Sequence, residues 1–174
     1  MDHLKKYIRS VPDYPKPGIN FYDLTTLIQD PRGFSSALDQ MENYVRRIEA
    51  DKILAVESRG FIFGAALADR LKLSLVVARK PGKLPSKTIS ESYSLEYGTD
   101  SLEIHADAVS EGDRVVLVDD LIATGGTLEA CGKLVERLGG EVVGISSVVA
   151  LVFLPFEERL SQYDVNYLIS YSSE

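Results

Sequence analysis

Residues 114–138 confine the chain to one local path: a buried strand, a tight turn and a helix. The run RVVLVDD (114–120) is apolar without alternation and ends in Asp119 and Asp120. A strand of that kind is covered on both faces, as in parallel sheets. From Thr127 onward, Leu128, Cys131, Val135 and Leu138 recur at helical steps, and Gly139-Gly140 ends the helix. Between strand and helix lie only Leu121, Ile122, Ala123, Thr124, Gly125 and Gly126. A parallel strand followed by a helix is a half-unit of an α/β fold, and the remaining chain has to supply neighbouring strands.

It does so twice over. KILAVE (52–57), FIFGAALADRL (61–71) and SLVVAR (74–79) form strand, buried helix and strand. That βαβ order implies parallel strands. EVVGISSVVALVF (141–153) and VNYLISY (165–171) are two further strand candidates. Upstream, Asp30-Pro31 is an N-cap followed by proline at the first helical position. Phe34, Leu38, Met41, Val45 and Ile48 then give one apolar helical face. Pro12, Pro15, Pro17 and Gly18 impose an ordered loop before it. The stretch Lys80–Ser92 is polar and long for a connection, a type that is usually functional or mobile. SYSLEY (92–97) and SLEIHA (101–106) alternate around Gly98-Thr99-Asp100 and predict a hairpin with one wet face. The expectation is one α/β domain over 1–174, with a central, mostly parallel sheet flanked by helices on both faces. A small N-terminal hood (about 1–30) and a flexible loop (about 80–100) complete it.

In open sheets of this class, ligands bind beyond the carboxyl ends of the strands. There the chain places two carboxylates, then Ala123, Thr124, Gly125, Gly126 and Thr127. The glycines permit positive φ and close backbone approach. Backbone N–H groups at a helix start, with two threonine hydroxyls, suit a phosphate monoester. Carboxylates accept hydrogen bonds, so Asp119 and Asp120 suit sugar hydroxyls and repel phosphate. The arrangement therefore describes a site for a phosphorylated sugar. No G-x-x-x-x-G-K-[ST] motif and no strand followed by G-x-G-x-x-G occurs, which excludes a Walker A loop and a dinucleotide fingerprint.

Charge limits the partners further. Lys and Arg total 19 against 26 Asp and Glu, a formal net charge of −7, which excludes a general nucleic-acid binder. A small polyanion is still served locally, because Arg79, Lys80, Lys83 and Lys87 crowd nine residues without an acid. Cys131, the only cysteine, lies on the apolar face of its helix and reads as a packing residue; no intrachain disulfide is possible and no thiol cluster has zinc spacing. His3 and His105 have no neighbours that suggest a metal or triad role. MDHLKKYIRS lacks the apolar core of a secretion signal, and no stretch reaches the ~18 apolar residues of a membrane span. The expected compartment is the cytoplasm.

The segment VVLVDDLIATGGT (115–127) closely resembles the phosphoribosyl-diphosphate (PRPP) binding motif of type I phosphoribosyltransferases. PKPGINFYDLTTL (15–27), ESRGFIFG (57–64), RKPGKLP (79–85) and YSLEYG (93–98) are similar, in order and spacing, to the adenine-specific branch of that family. The resemblance covers about residues 4–150 and fades towards the C-terminus.

The resemblance implies a fold and a reaction: adenine plus PRPP gives AMP plus diphosphate, with Mg²⁺ carried mainly by the diphosphate and ribose hydroxyls and with no protein metal site. It implies that Asp119 and Asp120 bind the ribose, and that Ala123 to Thr127 hold the 5′-phosphate. Ser58, Arg59 and Gly60, in a loop that often holds a cis peptide, would meet the diphosphate with Arg79, Lys80 and Lys83. Lys87 is not assigned a contact. Ile19, Asn20, Phe21 and Arg59 would form the adenine pocket. Glu96 would be the catalytic acid/base and Tyr97 would close over the ribose. Tyr22 stands where the family usually has Arg or Lys. A homodimer is implied, with residues near the diphosphate loop and the strand ending at Arg79 at its interface. Two alternatives remain: an enzyme for another purine, xanthine or hypoxanthine, and a PRPP-binding regulator without catalysis.

Overall fold

The alternation of buried runs and amphipathic helices is realised in a computed structural model that describes residues 2–94 and 99–173. A 3₁₀ segment (Asp2–Tyr7) leads into β1 (Arg9–Val11), β2 (Phe21–Asp23), α1 (Thr25–Gln29) and α2 (Pro31–Arg47). Next come β3 (Lys52–Val56), α3 (Gly60–Leu71), β4 (Ser74–Ala78) and a hairpin of β5 (Thr88–Ser94) and β6 (Thr99–His105). The chain continues through β7 (Arg114–Ile122), α4 (Gly126–Arg137), β8 (Glu141–Leu151), α5 (Phe156–Arg159) and β9 (Val165–Tyr171).

Five strands form the central sheet in the order β4-β3-β7-β8-β9. Every pairing in it is parallel. Successive residues alternate between two cores, as the pleat requires. Ile53, Val116 and Val118 join the core under α2 and α3, whereas Leu54, Val115 and Leu117 join the core under α4 and the β5–β6 hairpin. Both faces are thus apolar, which is why RVVLVDD shows no period of two in sequence.

Asp30 caps α2, its Oδ1 accepting from Arg32 N and Gly33 N at 2.9 Å each. The long connection is shorter than predicted. Strand pairing starts at Thr88, opposite His105, so only about residues 80–87 remain without regular structure. The extra pairing is invisible locally because Thr88–Ser92 is polar; its apolar contacts come from α4. The hood is an antiparallel ribbon of β1 and β2, with Arg9 opposite Asp23. Strands of three residues carry too little alternation to be read from sequence.

The strand order places the site. The chain runs from β3 outward to β4, then returns past β3 to β7. The switch point therefore lies between β3 and β7, and a ligand crevice opens beyond their carboxyl ends.

Candidate active site

Two turns meet at that switch point, one after β7 and one after β3. After β7, Gly125 has φ +78°, and a Cβ there would lie 3.2 Å from both Phe156 and Leu160. Glycine alone serves both demands. No side chain caps α4 at Gly125, so its first amides are available to an anion. After β3, the Glu57–Ser58 peptide is cis. Gly60 then passes so close to β7 that a Cβ would lie 2.9 Å from Val118 O and 3.0 Å from Asp119 Oδ1. The predicted diphosphate loop, Ser58-Arg59-Gly60, is therefore seated directly on the acid pair.

The acids themselves are buried. Asp119 Oδ1 accepts from Asp120 N at 2.8 Å. Asp120 Oδ2 forms an ion pair with Arg59 Nε at 2.5 Å but has no aligned hydrogen bond. Burial, together with the neighbouring Asp120 charge, holds the Asp119 carboxyl well above the ordinary carboxylate range, and Arg59 opposes it. A ligand hydroxyl that donates to this pair replaces solvation the site itself withholds.

The predicted cations reach the same rim. Arg79 is joined to β6 by two backbone bonds with Glu103, of 2.9 and 2.7 Å. Its guanidinium lies 3.4 Å from Glu57 Oε1, and Lys83 Nζ lies 2.5 Å from the same oxygen. Lys80 N donates to Glu57 Oε2 at 2.8 Å, while Lys80 Nζ pairs with Asp100. The positive charge read from the sequence is thus present but partly offset by Glu57 and Asp100, two acids the sequence reading did not single out. Lys87 is exposed and engages Ala106 N only through its carbonyl.

The hood closes the other side. The Arg59 guanidinium lies 5.9 Å from the Phe21 ring centroid, and Tyr14 packs edge-on to Phe21 at 5.2 Å. Phe21, Arg59 and Asp120 therefore form a continuous path from the hood to the acid pair. Ile19 is exposed. Asn20 Oδ1 accepts from Ser10 Oγ at 2.6 Å, so its side chain braces the hood from within. Tyr22, the departure from the family pattern, is a packing residue. It stacks on Tyr171 with centroids 3.6 Å apart and donates to Ser173 O at 3.2 Å.

A model of the phosphoribosyl transferase domain matches residues 27–165. The chain belongs to the phosphoribosyltransferase family. It is 54% identical to the adenine phosphoribosyltransferase of Acidobacterium capsulatum, over 97% of this chain and 93% of the relative. The crystal structure of adenine phosphoribosyltransferase from Thermoanaerobacter pseudethanolicus superposes with a TM-score of 0.94 at 50% identity, covering 98% of this chain and 99% of that one. The enzyme from Saccharomyces cerevisiae, solved with an imino-altritol bisphosphate and adenine, gives 0.90 at 36% identity, covering 97% of each chain. The relatives cover 97–98% of the chain, more than the motifs span. The packing of Tyr22 on Tyr171 supplies a physical tie for the C-terminal segment.

In this phosphoribosyltransferase, Glu96 and Tyr97 lie outside the described residues, in the 95–98 segment that joins β5 to β6. The strands flanking that segment are fixed at the site. Tyr93 and Asp100 lie opposite each other in the hairpin register, and Asp100 holds Lys80.

Glu57 makes the rim sensitive to acid. Burial opposes its ionisation, but hydrogen bonds from Lys83, the Lys80 amide and Arg79 win and lower its pKa from 4.5 to about 2. A carboxylate with a depressed folded pKa adds stability that is present above the unfolded value and lost as pH falls through the folded one. Unfolding midpoints in urea, measured against pH, should therefore drop for the wild type between pH 4.5 and about 2. Glu57→Gln should flatten that limb; an unchanged limb would show that other carboxylates carry the acid sensitivity.

Proposed function

We propose that this chain is an adenine phosphoribosyltransferase of purine salvage, a cytoplasmic homodimer that converts adenine and PRPP to AMP and diphosphate. The observation that carries the reading is the meeting, at one switch point, of the acid pair, the uncapped phosphate turn, the cationic rim and the hood aromatic. In the reaction the bond from the anomeric carbon to the diphosphate oxygen breaks, and the bond to N9 of adenine forms. The proton on the adenine imidazole passes to Glu96. Thr124, Gly125, Gly126 and Thr127 hold the 5′-phosphate, with Ala123 leading into the turn. Asp119 and Asp120 take the ribose hydroxyls. Ser58, Arg59, Gly60, Arg79, Lys80 and Lys83 neutralise the leaving diphosphate, with the two lysines and Arg79 exchanging Glu57 and Asp100 for the substrate. Ile19, Asn20 and Phe21 orient the base, and Tyr97 excludes water. Preorganised charge and orientation of this kind supply most of the acceleration in such displacements.

The donors present fit Mg²⁺ in a limited way. Asp119 and Asp120 offer hard oxygens of the kind it prefers. Among the described residues no group of three or more His, Cys, Asp or Glu could hold a metal. We read Mg²⁺ as riding on the diphosphate and ribose hydroxyls beside this acid pair, where it supplies further charge neutralisation. Exposed Ile62 on α3 and Leu75 on the edge strand β4 support a dimer through that face. The single thiol, buried at Cys131, suits a reducing compartment, and among the described residues no helix is long and apolar enough to cross a membrane.

The test is base preference. Purified protein with PRPP and Mg²⁺ should turn over adenine with a kcat/KM about 10³-fold or more above hypoxanthine, guanine or xanthine. Sites that hydrogen-bond an amino group reject analogues lacking it by large factors. A preference for hypoxanthine or xanthine would transfer the assignment to the alternative purine. PRPP binding without turnover of any base would favour the regulator.

A further inference from the structure

Glu103 lies on β6, and none of the roles above uses its side chain. Its backbone pairs with Arg79, where the cationic loop begins. At the other end of that loop, Lys87 O accepts from Ala106 N at 2.9 Å and Thr88 pairs with His105. Residues 80–87 are therefore an excursion from β6 that leaves opposite Glu103 and returns opposite His105. Between these fixed ends the Glu103 carboxylate reaches into the loop, and its Oε2 accepts from Gly82 N at 3.1 Å. Gly82 has φ +78°, and nothing lies within 4 Å of where a Cβ would sit. The bond from its amide thus ties an otherwise open turn to the strand. The next residue is Lys83, whose carbonyl accepts from Arg79 Nη1 at 3.3 Å and whose Nζ meets Glu57 at 2.5 Å. Lys80 N also donates to Glu57, so two alternate amides of the loop are held by carboxylates from separate segments.

We propose that Glu103 is a positioning residue: by holding the Gly82 amide it preorganises the cationic loop that meets the diphosphate. This rests on the site assignment given above. A loop tied at its middle as well as at both ends has fewer conformations to lose when a ligand orders it. The carboxylate serves here as a hydrogen-bond acceptor, because its negative charge by itself repels a diphosphate. The two effects have opposite signs. Loss of the tether weakens diphosphate binding, whereas loss of the charge alone strengthens it.

The experiment titrates inorganic pyrophosphate with Mg²⁺, and separately ribose 5-phosphate, by calorimetry into the wild type, Glu103→Ala and Glu103→Gln. Glu103→Ala should weaken pyrophosphate about fivefold, the scale of one hydrogen bond of ordinary net strength. It should leave ribose 5-phosphate at its wild-type affinity. Glu103→Gln keeps an acceptor oxygen and drops the charge, so it should bind pyrophosphate at least as tightly as the wild type. Pyrophosphate affinity in Glu103→Ala at or above the wild-type level overturns the proposal. Weakening in Glu103→Gln equal to that in Glu103→Ala overturns it as well, since the acceptor is kept. So does equal weakening of both ligands, which is the mark of general destabilisation. Lys83→Met should weaken pyrophosphate. If it does not, the diphosphate-side assignment is wrong and the tether falls with it; if it does while Glu103→Ala binds as the wild type, only the tether is wrong.

Discussion

Glu96→Gln should lower kcat by roughly 10²–10⁴-fold, the range of a positioned acid/base. PRPP affinity should stay within about threefold, because the role proposed for Glu96 is toward the base and not the phosphates. Forward synthesis requires that a proton leave the adenine imidazole as N9 bonds to the anomeric carbon, and the reverse cleavage requires that it return. Glutamine keeps the size and the hydrogen-bonding reach of the side chain and loses only the proton-accepting charge. Steady-state kinetics in both directions, with PRPP binding followed separately, make the check. An intact kcat would remove Glu96 from the reaction and leave charge neutralisation and orientation to account for the rate.

Gly60→Ala should cost about 10²-fold in kcat/KM, the scale of a misplacement near 1 Å. The reason is steric and local. The new methyl would sit 2.9 Å from Val118 O, 3.0 Å from Asp119 Oδ1 and 3.2 Å from Asp119 Cα. Two of those three atoms are backbone of the central strand β7, which cannot give way. The loop must lift instead, and with it Arg59, whose 2.5 Å ion pair with Asp120 also sets its position beside Phe21. One substitution therefore disturbs the Ser58-Arg59-Gly60 loop, the Arg59–Asp120 ion pair and the contact with Phe21 together. A thermal melt should show the variant folded, since α3 starts at this residue and keeps its buried face. Wild-type kcat/KM with the methyl in place would mean that the loop has more freedom than its packing on β7 implies.

Much of the site was legible because it is local. Asp119, Asp120 and the Ala123–Thr127 turn lie on consecutive residues, so a strand followed by a helix puts them at one strand end whatever surrounds them. The same holds for Asp30-Pro31 at the start of α2. Glu96 and Tyr97 are different: they were named through a resemblance of motifs, and the structure adds only the placement of the strands on either side.

Other features depended on the sheet order. Nothing in the spacing of residues 52–57 and 114–120 says that β3 and β7 are neighbours, yet that pairing seats Gly60 on Asp119. A run of four cations without an acid looked like free positive charge, and only the fold supplied Glu57 and Asp100 from separate segments to offset part of it. Tyr22 looked like a missing basic contact until β9 brought Tyr171 beside it and the residues after β9 brought Ser173, which is 151 residues away in sequence. Side-chain chemistry and short-range spacing belong to the chain itself, since they are decided within a turn or two. Partners far apart in sequence are chosen by strand order and layer packing, which minimise exposed apolar surface over the whole molecule and leave no local trace.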